Sequence, residues 1–195
     1  MRHDGELWQE FADNGEAIVG AGFAKAEFDN FAKLCGTAHV WVWRPTNNGV
    51  QVLLQKRAAD KKTWANCWDI STAGHVNLGE NPTATAVREA REEIDLRLDK
   101  NRLRFCAADR DMAAKYDEIY FVYTYELDEN EQFKFNDGEV TELRWVDLAD
   151  LKKFARDPAA ANIVPHDAVY FAPIFRYLDR ASEKLSRKEE NNGGK

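Results

Sequence analysis

With 195 residues, 44% hydrophobic and 12% aromatic, the chain is long and apolar enough for one domain with a sizeable core, and its composition excludes disorder. Its 34 acidic against 27 basic side chains leave a net charge of -7, which argues against binding a nucleic-acid polymer but not against small phosphorylated ligands. The three cysteines, Cys35, Cys67 and Cys106, show no CxxC spacing, and no segment approaches a continuous apolar run of about 18 residues; a soluble, cytoplasmic protein with reduced thiols and no membrane association is expected.

Residues 6–20 (ELWQEFADNGEAIVG) read as two short strands turned at Asp13-Asn14-Gly15, followed by a brief helical piece over about 24–33. AHVWVWRP (38–45) alternates Val40 and Val42 with tryptophans, and VQVLLQKR (50–57) follows the turn Thr46-Asn47-Asn48-Gly49, so the two predict a hairpin. A polar, basic loop, AADKKTWAN (58–66), leads to a short strand near CWDIS. The second half of GHVNLGENPTATAVREAREEIDL (74–96) is helical: Asn81 suits an N-cap, Pro82 suits N1, and Val87, Ala90 and Ile94 form an apolar stripe. Its glutamates read as lying opposite that stripe.

Strands follow at LRFCAADR (103–110), DEIYFVYTYEL (117–127) and EVTELRWVDL (139–148), then helices over roughly 147–156 and 166–187. Mixed strands with helices before and after predict an α/β or α+β layered fold. The expected organisation is an N-terminal extension (1–37, hairpin and short helix) packed on one domain (38–187), with a flexible tail (188–195).

Glu89, Glu92 and Glu93 stand at i, i+3 and i+4, where like charges on a solvated helix repel by a few tenths of a kcal/mol per pair. Alone, such a run is more often a solvated face than a site. Its setting is more specific: Gly74, five residues, Glu80, seven residues, then Arg88-Glu89-Ala90-Arg91-Glu92-Glu93-Ile94-Asp95-Leu96. This pattern resembles the signature of the Nudix hydrolases, G-x5-E-x7-R-E-U-x-E-E-x-G-U with U aliphatic. Two positions depart: Ala90 is small for U, and Asp95 replaces the second glycine, which would end the helix in the left-handed conformation.

The resemblance implies a Nudix-type α/β/α sandwich with a mixed β-sheet, and a Mg²⁺ cofactor for which Mn²⁺ can substitute. Glu89, Glu92, Glu93 and the carbonyl of Gly74 would ligate the metal, Arg88 would orient the glutamates, and Glu80 would brace the loop. Glu92 and Glu93 thereby become catalytic residues. Glu139, outside the signature, is the water-activating glutamate expected, with Glu118 as its competitor. The chemistry agrees, because cleaving a diphosphate requires neutralised oxygens and an activated water, which an oxygen-ligated divalent cation supplies.

LLQKRAADKKTWANCWDISTAGHVNLGE and EVTELRWVDLADL further resemble the Nudix subgroup related to isopentenyl-diphosphate isomerase. Arg57, Lys61 and Lys62 then become candidate phosphate ligands. His39 and His75 match two histidines that bind metal in the isomerases, but His3 and His166 lie in the terminal segments, so a His-rich site looks incomplete and His39 is assigned an ordinary hydrogen-bonding role. Core packing is expected for Trp145 and for whichever of Trp41 and Trp43 points inward, and Trp64 is the stacking candidate. The isomerases need a cysteine immediately before the Gly-His pair; here that residue is Ala73.

The expected activity is therefore metal-dependent pyrophosphohydrolysis of a small substrate, X-diphosphate. Isoprenoid isomerisation and a non-catalytic diphosphate-binding module are the alternatives. Substrate choice is assigned to 1–37, 58–68, 110–117 and 157–175, and a homodimer through the N-terminal hairpin stays open.

Overall fold

The computed structural model describes residues 7–24, 27, 33–111, 117–127, 131–136 and 138–192. In chain order the strands are β1 (Leu7–Phe11), β2 (Ala17–Ala24), β3 (Leu34–Thr46), β4 (Gly49–Arg57), β5 (Trp68–Asp69) and β6 (Thr72–His75). Helix α1 (Pro82–Ile94) precedes β7 (Arg104–Asp111), β8 (Glu118–Glu126) and β9 (Val140–Asp147), and α2 (Leu148–Arg156), α3 (Pro158–Ala161) and α4 (Ala168–Asn192) follow.

Among the described residues all nine strands join one mixed sheet whose spine is β3. Along one edge β3 pairs in parallel with β8, from Cys35↔Glu118 to Trp43↔Glu126. The other edge is shared in turn by β1 at residues 34–35, β6 at 37–40 and β4 at 43–46, all antiparallel. Strand alternation divides the side chains of β3 between two cores. Ala38, Val40 and Val42 pack with Ala86, Ala90 and Ile94 of α1; Trp41 and Trp43 pack with Leu151 of α2 and Tyr170, Phe171 and Ile174 of α4. The result is the expected α/β/α sandwich.

Both tryptophans, not one, are buried: two residues apart on β3, they share the face covered by α2 and α4. β2 runs to Ala24, so the helix expected over 24–33 does not begin there, and the rest of it, Glu27 and Lys33 aside, lies outside the described residues. α4 continues as helix to Asn192, through most of the tail expected to be flexible.

His39 is buried, with Nδ1 3.0 Å from the Tyr170 hydroxyl, the hydrogen-bonding role expected of it. Burial first, and the nearby His166 second, push its pKa down to about 3. The folded state thus holds His39 neutral while the unfolded chain protonates it below about pH 6.5. As pH falls from about 6.5 towards 3, the unfolded state binds the extra proton and stability declines, by at most about 1.4 kcal/mol per pH unit from this residue. Denaturant unfolding measured across that range should show the decline, and the variant His39→Gln should flatten it.

Candidate active site

The loop from Gly74 to Glu80 and helix α1 are tied together at both ends. Asn81 caps the helix in extended conformation, its side chain accepting from the Ala84 N–H at 2.9 Å, and Pro82 occupies the first turn. At the other end Asp95 adopts the left-handed conformation, φ 57° and ψ 24°. Its N–H donates to the Arg91 carbonyl at 3.1 Å, and that of Leu96 donates to the Ala90 carbonyl at 2.9 Å. The replacement of glycine by Asp95 has kept the helix stop.

Arg88 is the hub. Its Nε donates to both oxygens of Glu80 at 3.0 and 3.2 Å. Nη1 bridges Glu89 Oε1 at 2.7 Å and Glu92 Oε2 at 3.0 Å, while Nη2 reaches the His75 carbonyl at 3.0 Å and Glu80 Oε2 at 3.1 Å. Burial alone would raise the Glu80 pKa, but hydrogen bonds from Arg88 and Thr85 and the guanidinium charge bring it below the usual value. Burial would likewise lower that of Arg88, and the Glu80 and Glu89 carboxylates raise it instead.

The glutamates do not lie opposite the apolar stripe as a group. Glu92 is the most exposed, whereas Glu93 is 4% exposed and accepts from the Ala73 N–H at 3.2 Å. The i, i+3, i+4 spacing sets Glu89 and Glu93 on the flank between stripe and solvent, where they meet the Gly74 loop. A Cβ built on Gly74 would stand 1.9 Å from Glu89 Oε1, so this position is closed to any side chain while Glu89 keeps its place. Three carboxylates (Glu80, Glu89, Glu92) converge on the one guanidinium of Arg88, and Glu93 stands beside them against the Ala73 N–H. All the donors are oxygen, the set that Mg²⁺ or Mn²⁺ prefers, so the residues fit the expected cofactor.

The other sequence-selected residues fall into two groups. Lys61 forms an ion pair with Glu139, bringing a phosphate candidate onto the candidate base. Arg57 is engaged elsewhere: Nη1 donates to buried Asp69 at 2.9 Å and Nη2 to the Thr63 carbonyl at 3.3 Å, anchoring the basic loop. Lys62 and Trp64 are exposed, and Trp64 and Asn66 adopt positive φ, 54° and 60°. On the solvent side of α1 a crevice of about 1240 Å³ includes Arg88 and Glu92 and adds Arg91, Lys100, Asn101 and Asn136. None of its lining belongs to the loops to which substrate choice was assigned.

Two clusters escape sequence reasoning. Asp69 receives Arg57 and lies 3.9 Å from His166 Nε2, and the His166 ring stacks on Tyr170 at 4.2 Å. Cys35, His75 and Glu118 also converge, their ligand-type atoms within 4.8 Å of one another. The competing base candidate is thus beside a cysteine and a histidine. No spacing rule could find this group, because the parallel β3–β8 register joins residues 83 positions apart (118 − 35).

Replacing Arg88 by alanine should destabilise the fold by about 2–3 kcal/mol in denaturant unfolding. A fully buried partner costs ~3–5 kcal/mol, and 19% of the Arg88 side chain remains in water. Gly74→Ala should displace Glu89 and weaken Mg²⁺ binding measured by calorimetry, with the unfolding midpoint shifting less than in Arg88→Ala.

Residues 36–167 match the NUDIX domain family. Over 140 residues the chain is 31% identical to Nudix hydrolase 3 of Arabidopsis thaliana, an alignment covering 66% of this chain and 18% of that protein. Over 106 residues it is 30% identical to isopentenyl-diphosphate Delta-isomerase of Shigella boydii, covering 52% of this chain and 57% of that one. The chain thus spans less than two thirds of the length of these curated relatives. Among solved structures, DR0079 from Deinococcus radiodurans matches with a TM-score of 0.64 at 18% identity, covering 90% of this chain and 99% of that one. The NUDIX domain of Shewanella oneidensis NrtR, complexed with ADP ribose, matches with a TM-score of 0.57 at 15% identity, covering 84% and 99%. At those identities the likeness is one of fold. Among the described residues no helix is long and apolar enough to cross a membrane. With the signature from Gly74 to Leu96 assembled on its loop and helix, and most of the chain matched, the chain belongs to the NUDIX family.

Proposed function

We propose that the protein is a divalent-metal-dependent pyrophosphohydrolase that cleaves a small organic diphosphate by attack of water at phosphorus. The observation that carries this reading is the convergence of Glu80, Glu89 and Glu92 on Arg88, with Gly74 pressed against Glu89. A cluster in which carboxylates outnumber the guanidinium, built from oxygen donors and held by hydrogen bonds at both helix ends, is organised for a cation rather than for water alone. Glu89, Glu92, Glu93 and the Gly74 carbonyl are the residues that would hold Mg²⁺ or Mn²⁺. A bound divalent ion supplies charge neutralisation at the diphosphate oxygens and a water of lowered pKa.

The chain's own groups divide the remaining work. Arg88 keeps the carboxylates at fixed positions, so little reorganisation is needed as charge moves to the leaving phosphate. Lys61 and Lys62 offer cations to the substrate, and a phosphate oxygen competing for Lys61 releases Glu139 from its ion pair, which suits Glu139 as the base. Arg57 supports the loop that carries both lysines.

The isomerase relatives favour a second reading, proton transfer at carbon in an isoprenoid diphosphate. The thiol that this reaction would need is replaced by the methyl group of Ala73, and the glutamates of the hydrolase signature are complete.

Incubation with nucleoside diphosphate derivatives, dinucleotides, isoprenoid diphosphates and thiamine-type diphosphates, with Mg²⁺ or Mn²⁺, should release a phosphorylated product from at least one class. Glu93→Gln should lower that turnover about 100-fold or more with an unchanged unfolding midpoint. Absence of turnover on every substrate would overturn the hydrolase, and double-bond migration in isopentenyl diphosphate would install the isomerase in its place.

A further inference from the structure

Gln9, on β1, is 3% exposed, and its side-chain amide joins two stretches of backbone that regular pairing leaves unsatisfied. The first is a bulge in β2. Gln9 faces Gly22 and Phe11 faces Ala17, so residues 18–21 of β2 stand against Glu10 alone. Nε2 of Gln9 reaches into this bulge, 2.8 Å from the Ile18 carbonyl and 2.9 Å from those of Ala21 and Glu10. The second is the turn Asn77–Glu80, closed by the Glu80 N–H donating to the Asn77 carbonyl at 2.8 Å. Gly79 holds the third position of that turn at φ 83°, as a type II turn requires, and the N–H there has no partner within the turn. Oε1 of Gln9 accepts it at 3.2 Å.

We propose that Gln9 is a positioning residue for the loop from Gly74 to Glu80, which makes the N-terminal hairpin a working part of the carboxylate site. The inference rests on the reading of that cluster as a divalent-cation site. The turn that Gln9 holds ends in Glu80, whose carboxylate receives Arg88, and whose Oε2 also accepts from the Asn77 N–H at 3.4 Å and the Thr85 hydroxyl at 2.9 Å. β1 lies alongside the same loop as an added strand: the Gln9 N–H donates to the Val76 carbonyl and the Leu78 N–H to the Leu7 carbonyl, both at 2.8 Å. Arg88 thus holds the loop from α1 and β1 holds it from the hairpin, with the Gln9 side chain pinning the turn that strand pairing does not reach.

The position selects an amide. One group must accept from Gly79 and donate to carbonyls, and turning it over would set Oε1 against three carbonyl oxygens. An ionised glutamate would meet that same repulsion. An apolar side chain would leave the Gly79 N–H and the bulge carbonyls unpaired in a buried place, and asparagine is one methylene too short. Released from Gln9, the turn is free to swing, and Glu80 loses the placement at which it meets Arg88.

Gln9→Met, close in size but apolar, should speed amide hydrogen exchange at Gly79 and weaken Mg²⁺ binding measured by calorimetry, each about tenfold. Leu151→Ala, in the core beneath α2, should lower the unfolding midpoint at least as far with Mg²⁺ affinity unchanged, which separates positioning from a general loss of stability. Gln9→Glu tests the donor half of the amide and carries the experiment if the Met variant fails to fold. Its ionised carboxylate should loosen Gly79, and protonation on lowering the pH should restore protection there, a signature that the unmodified protein lacks. Unchanged exchange at Gly79 or unchanged Mg²⁺ affinity in Gln9→Met, or no recovery at low pH in Gln9→Glu, would overturn the proposal. Exchange needs neither metal nor turnover: an unmodified protein that binds no Mg²⁺ would overturn the cation reading, while exchange at Gly79 still decides whether Gln9 holds the turn.

Discussion

One guanidinium holds the candidate site together. Arg88 reaches the loop through the His75 carbonyl and Glu80, and reaches the helix through Glu89 and Glu92, so loop and helix move as a unit. All five of its side-chain N–H donors point at carboxylates or a carbonyl that would otherwise repel one another. Partial burial strengthens each of these bonds and raises the cost of leaving any one unmade. Arginine suits this place for a geometric reason: its planar fork serves several oxygens at once, which a lysine ammonium on a flexible stem cannot do with the same fixed geometry.

The position of that hub follows from β3. Because β8 lies along one edge and β1, β6 and β4 share the other, β6 is short and its chain leaves the sheet at once into the Gly74–Glu80 loop. Alternation then sends neighbouring residues to opposite faces. Gly74, opposite Ala38, meets Glu89 on the α1 side, while His75, opposite Thr37, meets Cys35 and Glu118 on the other. Two adjacent residues thus serve two chemically distinct clusters, one hard and all oxygen, the other containing sulfur and nitrogen.

The basic loop illustrates how charge that looks alike in sequence separates in space. Arg57 is drawn inward by buried Asp69, whose carboxyl burial alone would neutralise; His166 and Arg57 keep its pKa below the usual value. Lys61, four residues on, pairs across to Glu139 just before β9, and Lys62 stays in solvent. Only the latter two can turn towards a ligand without dismantling the loop's own support. The left-handed Trp64 and Asn66 carry backbone strain of order 1–3 kcal/mol each, offset by the anchorage of Arg57 to the Thr63 carbonyl and of Asn162 to the Asn66 carbonyl.

What the sequence determined by itself was local or periodic. Asn81 and Pro82 start a helix whatever surrounds them, the spacing of Gly74, Glu80, Arg88, Glu89, Glu92 and Glu93 fits one loop and one helix, and alternation marked β3, β4 and the hairpins. Asp95 stood in the sequence as a departure from the signature glycine, and the structure shows it taking the left-handed conformation that ends the helix. Tertiary structure decided the rest. That Trp41 and Trp43 are both buried depends on α2 and α4 covering the face of β3 that they share. That Glu93 is buried while Glu92 is not depends on where the Gly74 loop lies against α1. The meeting of Cys35, His75 and Glu118 depends on a parallel register between strands far apart in the chain, and no local preference encodes a partner at that distance.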